Sequence, residues 1–276
     1  MSIDLHCHSN HSDGELSPLD LVELALKNNA TMLSITDHDT VSAYEDLPKL
    51  ASLDVIPGVE FSSIWKNINV HVVGLGIDPF DKSLLSACED LSDRRLKRAE
   101  VIARRLFLRK LVPSVDMTIE RVYEIAGGRS IGRPHFAEYL VEIGVCDDTG
   151  SAFRSYLAAG KIGDVKDQWP NMGEVIAWIC QAGGIPVLAH PAKYKMTRTK
   201  LITMVSDFKS LGGRSIEVCS GYQTNEMTRS MGQLSEEFDL SASCGSDFHS
   251  LDRPWSQVGK VPALPSRCRP VWEDWT

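Results

Sequence analysis

The stretch "IDLHCHSNHSDG", residues 3–14, carries three histidines and two aspartates. Its first half reads as a strand. Residues two apart on a strand face the same side, so His6 and His8 present both imidazoles in one direction, while Cys7 between them packs on the other side as an inert thiol. A lone buried histidine is commonly structural, satisfied by a backbone carbonyl. A pair with acids beside it needs a partner, and the rest of the chain decides what that partner is.

Six further strand candidates follow: "MLSIT" from Met32, "DVIPGVEF" from Asp54, "INVHVVGL" from Ile68, "IPVLAH" from Ile185, "SIEVCS" from Ser215 and "SASCGSD" from Ser241. Helical stretches alternate with them, the pattern of a parallel α/β fold. Ser17 caps Pro18 in the first helix, where Leu19, Leu21, Val22, Leu24 and Ala25 form the apolar stripe. Helices near 174–183 and 198–211 follow, the second stopped at Gly212 and Gly213. Between about Pro79 and Gly160 the rhythm breaks into helices alone, among them "LSDRRLKRAEVIARRLFLRK", "TIERVYEIAG", "RPHFAEYLVEIG" and "GSAFRSYLAAG". The expected organisation is therefore a barrel domain, 1–79 and 161–276, with a helical cap, 80–160, inserted over one end.

In parallel α/β barrels the active site lies at the carboxyl ends of the strands. Those ends hold His6, His8 and then Asp13; Asp37 and His38 in "TDHD"; Glu60; His190; Glu217; and Asp247 with His249. His71 lies nearer the start of its strand, His135 in the insertion, and His11 outside the pattern. Burying so many acids and imidazoles without a cation would cost several kcal/mol each. A mixed N/O cluster suited to Mn, Fe or Zn removes that cost. Glu217 reads either as an acid supporting a ligand from behind or as one capping the core, not as a ligand itself.

The 276 residues, 43% hydrophobic and 24% charged, suffice for one large α/β domain with an insertion. No run of about 18 apolar residues predicts a membrane span. The first strand begins without a signal-peptide pattern before it, and seven scattered cysteines fit reduced thiols, so a cytoplasmic protein is expected. A net charge of −8 argues against backbone-wide nucleic-acid binding but leaves room for a local basic pocket.

"DLHCHS", Asp13-Gly14, "TDHDT", "GVEFS", "HVVGL", "RPHFA", "LAHP", "IEV" and "GSDFH", in that order, resemble the PHP (polymerase and histidinol phosphatase) phosphoesterases. The insertion, "AGGIPVLAHPAKY" and "GSDFHSLDRPWSQVG" look most like the nucleoside 3′,5′-bisphosphate phosphatases, grouped with 5′-3′ exoribonucleases of the RNase AM type. The resemblance implies a distorted (β/α)7 barrel with a helical cap and three divalent metals, manganese above all, with iron or zinc as alternatives. It implies His6, His8, Glu60 and Asp247 on the first metal. Glu60, His71 and His135 would hold the second, and Asp13, His38 and His249 the third.

A hydroxide shared between the first two metals would then attack phosphorus in line. His190, or Asp247, is the candidate to protonate the leaving oxygen. Arg133 is placed to grip phosphate, Lys161 more weakly so. The helix over 93–110 has eight Arg or Lys against two acids. Leu96, Ala99, Ala103 and Leu106 mark its buried side, most of its charges read as a solvated face, and Arg95 and Arg98 are candidate contacts to a terminal 5′-phosphate. A 5′-phosphate held in the cap while the neighbouring 3′ ester is cleaved makes the phosphatase and the exonuclease one reaction on a nucleotide or short RNA. The rivals are a histidinol-phosphatase-like enzyme, an amidohydrolase (disfavoured because "INVHVVGLGI" lacks the lysine such enzymes commonly carry on that strand) and a structural zinc module. Zinc modules are usually cysteine-rich and four-coordinate, whereas here all nine proposed ligands are His, Asp or Glu.

Overall fold

The computed structural model describes residues 2–47, 52–127, 129–166 and 168–275. Strands β1 (Ser2–Cys7), β2 (Ala30–Ile35) and β3 (Asp54–Val55) form one parallel sheet. Strands β4 (Gly58–Trp65), β5 (Ile68–Leu75), β6 (Ile185–Leu188), β7 (Ser215–Ser220) and β8 (Ser241–Gly245) form a second, in that order. The run from Asp54 divides because Pro57 has no N–H to donate to a ladder. Gly58 then allows a close approach, since a Cβ there would lie 2.4 Å from Ser34 Oγ.

The second sheet is not uniformly parallel. β4 and β5 form an antiparallel hairpin through Lys66 and Asn67, both at positive φ, as a two-residue hairpin turn requires. β5 also runs antiparallel to β6, whereas β6, β7 and β8 are mutually parallel. This reversal places the start of β5 beside the end of β6, where Ala189 N–H donates to His71 O at 3.2 Å. His71 therefore stands at the same end as the other strand-end residues. Glu60 lies near the start of β4, not at its end, but faces the same place across the isolated bridge to His38. A second bridge, Cys7 to Phe248, links the sheets at their other margin.

Helix α1 (Pro18–Lys27) begins at Ser17, whose hydroxyl accepts from Asp20 N–H. Leu21, Val22 and Ala25 are buried and Leu24 partly so, whereas Leu19 is 47% exposed, because its position projects from the outer flank of the stripe. Helix α2 (Lys82–Leu108) serves two cores. Leu84 and Leu91 pack against the sheet core, while Ala99, Ile102, Ala103 and Leu106 join a separate core built only from residues 99–165. Leu96 faces solvent, and Ile102 completes the stripe instead.

That second core also takes α3 (Val115–Ile125), α4 (Arg133–Glu142) and α5 (Thr149–Ala152), the last continued by a π-helical turn over Phe153–Leu157. Residues 79–160 contain no strand among the described residues. Helices α6 (Met172–Gln181), α7 (Arg198–Ser210) and α8 (Asn225–Glu237) pack their apolar faces on the sheets. Among the described residues no helix is long and apolar enough to cross a membrane. Cys7 is fully buried with its thiol on Ser34 O, on the side of β1 away from the histidines.

β1 and β8 lie so close that a Cβ on Gly245 would sit 2.2 Å from the Cβ of His6. Gly245→Ala must therefore push the two strands apart. The expected cost is about 1–3 kcal/mol in chemical denaturation, together with weaker divalent-metal binding because His6 moves; a variant that binds manganese as the parent does would contradict this.

Candidate metal centre and phosphate pocket

Alternation along β1 turns Asp4, His6 and His8 to one face, and all three are buried. Asp4 latches the strand by accepting from Ser246 N–H and Gly259 N–H, each at 2.8 Å. His6 Nδ1 lies 3.0 Å from Glu217 Oε1. A carboxylate only accepts, so Nδ1 carries a proton toward Glu217 and Nε2 is the ring atom that faces the site. That Nε2 is 3.2 Å from His8 Nε2 and 3.3 Å from Glu60 Oε2.

Glu60 is the hub. Its Oε2 also lies 3.3 Å from His8 Nε2 and 3.0 Å from His38 Nδ1. Its Oε1 is 2.9 Å from both His71 Nδ1 and His190 Nε2. Asp13, from the turn after β1, puts Oδ1 3.8 Å from His38 Nε2 and 3.5 Å from His249 Nε2. Asp247 Oδ1 is 3.4 Å from His8 Nε2. Asp247 and His190 both adopt left-handed backbone, which turns their side chains sharply off the strand ends.

Four overlapping groups of ligand atoms lie within 4.8 Å: His8–Asp13–His38–His249, His6–His8–Asp247, His6–Glu60–His190 and His38–Glu60–His71. Several buried atoms in these groups have no hydrogen-bond partner: His8 Nδ1, Asp13 Oδ1, His38 Nδ1, Glu60 Oε2 and His190 Nδ1. Each such orphan costs roughly 1–3 kcal/mol. Imidazole nitrogens and carboxylate oxygens left bare in one place fit divalent cations that accept N/O donors.

The charge states agree. Burial alone would raise Glu60, but the imidazoles of His71, His38 and His6 hold its carboxyl well below the usual range. Against the same burial, Lys193 and His8 lower Asp247, and His249 and His38 lower Asp13. Burial keeps His8 and His38 neutral by depressing both. Ionised carboxylates and neutral imidazoles are the forms that ligate metals. His6 differs: burial opposes its protonation, but Glu217 and Glu60 outweigh burial and raise it.

Eight of the nine residues expected as ligands thus converge: His6, His8, Asp13, His38, Glu60, His71, Asp247 and His249. His135 is the difference. It joins none of these groups among the described residues, because its Nδ1 is used as the cap of α4, accepting from Gly132 N–H at 2.9 Å. His190, expected as an acid or substrate contact, takes the place beside Glu60. His11 binds Ser42 Oγ and Asp46 instead.

Lys193 was not legible in the sequence as a functional residue. A 3-10 turn, Pro191–Lys193, returns it three positions after His190, so that Nζ donates to Asp247 Oδ2. The spacing "HPAK", a lysine three residues after a strand-end histidine, is the one signal that could have found it.

Beside the cluster lies a cavity of about 70 Å³ that shares Asp13, His38 and His71 with it. Its other walls include Arg95, Arg98, Arg133 and Trp169. Arg95 is committed to Asp39, with Nε–Oδ2 at 2.8 Å, and to Ile131 O and Ser62 Oγ. Arg98 and Arg95 both lie over the Trp169 ring, at 5.2 and 5.3 Å from its centroid. Burial and the neighbouring Arg133 and Arg95 depress Arg98 to about 9, a surplus of positive charge that an anion would relieve. Lys161 is exposed and does not line this cavity.

The PHP domain model matches residues 4–116. A 3′,5′-nucleoside bisphosphate phosphatase of Chromobacterium violaceum is 36% identical over 99% of this chain and 96% of its own. The chain belongs to the PHP family. A 5′-3′ exoribonuclease of Escherichia coli is also 36% identical, over 99% of this chain and 93% of its own. A solved structure from Chromobacterium violaceum, described as an amidohydrolase with bound sulfate and no metal, superposes with a TM-score of 0.88 at 34% identity, covering 99% of this chain and 95% of that one.

Glu217 touches no inward-facing ligand atom except by way of His6 Nδ1 and the His190 N–H, which it accepts at 2.6 Å. Glu217→Gln is expected to weaken Mn2+ binding by roughly 10–100-fold in calorimetric titration, the usual loss for a residue that orients a ligand. The rise in Tm on adding metal should shrink with it. Unaltered affinity would show that His6 needs no such support.

Proposed function

We propose that this PHP protein is a divalent-metal-dependent phosphoesterase that hydrolyses the 3′ phosphoester of 5′-phosphorylated nucleotides. On that reading it is a 3′,5′-nucleoside bisphosphate phosphatase and a 5′-3′ exonuclease on short oligoribonucleotides. The observation that carries the reading is the arginine-lined cavity opening onto the ligand cluster through Asp13, His38 and His71. A substrate with two phosphates spans both; a histidinol-phosphate-like substrate with one leaves the cationic surplus of Arg98 and Arg133 uncompensated. The names of the bacterial phosphatase and exoribonuclease relatives support this choice. A closed zinc module is disfavoured because the ligand groups overlap and border a cavity.

The proposed frame is a distorted (β/α)7 barrel of residues 1–79 and 161–276 under a helical cap, 80–160, in a cytoplasmic enzyme without an obligate protein partner. Three divalent ions, manganese in preference to iron or zinc, are assigned to the cluster. His6, His8, Glu60 and Asp247 hold the first, Glu60, His71 and His190 the second, and Asp13, His38 and His249 the third. Bound there, such ions supply charge neutralisation for phosphoryl oxygens and lower the pKa of water. Glu217 fixes His6 and the His190 backbone. Arg98 and Arg133 bind the 5′-phosphate, and Arg95, locked on Asp39, shapes the pocket wall. Lys193, paired with Asp247 at the edge of the cluster, is placed to hand a proton to the departing oxygen, a role His190 is too occupied with Glu60 to fill.

The test is a side-by-side manganese assay of adenosine 3′,5′-bisphosphate, a 5′-phosphorylated RNA, its 5′-hydroxyl twin and histidinol phosphate, with Asp13→Ala as control. The bisphosphate and the 5′-phosphorylated RNA should be hydrolysed, and the hydroxyl twin far more slowly. Arg98→Gln should raise KM at least tenfold for the phosphorylated substrates only. Equal rates on the twin RNAs would overturn the reading.

A further inference from the structure

We infer that the surface around Lys27, Arg253 and Lys260 is a track for the downstream nucleotides of an RNA substrate, one that rests on the activity proposed above. Three cavities lie in series. The arginine-lined cavity shares Asp13 and Pro134 with an open one of about 1100 Å³, which also reaches His249. That second cavity shares Ser250, Leu251 and Arg253 with a third, of about 210 Å³. The candidate metal ligands Asp13 and His249 thus stand between a cationic cavity on one side and an open exit on the other. With the terminal nucleotide's 5′-phosphate among Arg98 and Arg133, the remainder of the strand has the exit as its way out.

The third cavity is where that strand would meet positive charge. Lys27, Arg253 and Lys260 line it, no acid does, and among the described residues none of the three forms an ion pair. In a chain of net charge −8 this is a local surplus of exposed cations. The intervening wall carries Asp13, Glu15, Glu138 and Asp252 beside Arg129 and Arg253; Glu15 accepts from Leu251 N–H and Asp252 from the Ser250 hydroxyl, and burial, with Asp13 nearby, raises Glu138. The 250–257 loop is pinned to the cluster, since the Ser256 hydroxyl donates to Ser246 O at 2.6 Å and to Asp247 O at 3.0 Å. It also carries Trp255, 59% exposed, and Leu251, 57% exposed, apolar surface of the kind that unstacked bases cover.

The experiment compares Lys27→Gln/Lys260→Gln with the parent protein, both checked for equal Tm, with Lys27→Arg/Lys260→Arg as the charge-conserving control. The ratio of kcat/KM for a 5′-phosphorylated octaribonucleotide to that for adenosine 3′,5′-bisphosphate should fall about tenfold in the glutamine variant and recover in the arginine one. Fluorescence anisotropy should show weaker binding of the octamer, with the log–log salt slope reduced by about 1.4, the share of two lysine–phosphate contacts on a single strand. An unchanged ratio and slope would overturn the track. Failure of the parent protein to hydrolyse either substrate would instead overturn the proposed activity, while the binding arm would still report on the track.

Discussion

Glu60 is shut away from solvent, and five imidazoles close around its two oxygens: His6, His8 and His38 on one, His71 and His190 on the other. A carboxylate in that position stays ionised only because positive or polarising groups surround it. His8 and His38, in turn, are kept from protonating freely by their own burial. Neither set is comfortable alone, and the lone pairs they leave bare define where cations belong. The framework answers this constraint. β1, β4, β6 and β8 all bring a member of the cluster to one end, and Gly245 lets two of them approach closely enough to do so.

Two features extend the cluster into a site with direction. Reversal of β5 in the second sheet carries His71 to the working end, which a uniformly parallel strand would not. Helix α2 crosses from the sheet core to the helical core, and the turn between them carries Arg95 and Arg98 over Trp169. The same helix that joins the two cores therefore lines the cavity beside the cluster with arginines, so a shift of that helix moves the cavity wall and the core packing together.

Much of this was legible in residue order. The i, i+2 spacing of His6 and His8, the strand-end acids and the loss of strands after Pro79 all reflect local periodicity, while the full set of nine ligands came from the resemblance; eight of those nine have ligand atoms that lie together. Leu19 and Leu96 show its limit, for an apolar residue at the flank of a stripe is buried only if another element covers it.

The amino-acid order by itself determined the ligand chemistry, the α/β composition and the place of the helical segment, because each depends on residue type and short-range spacing. Only the tertiary structure decided that β5 runs backwards, that Glu217 fixes His6 and that Lys193 reaches Asp247. It likewise decided that His190, not His135, stands beside Glu60. Those outcomes depend on which chain segments meet across the sheets and on left-handed turns at single residues, and neither leaves a periodic trace in the sequence.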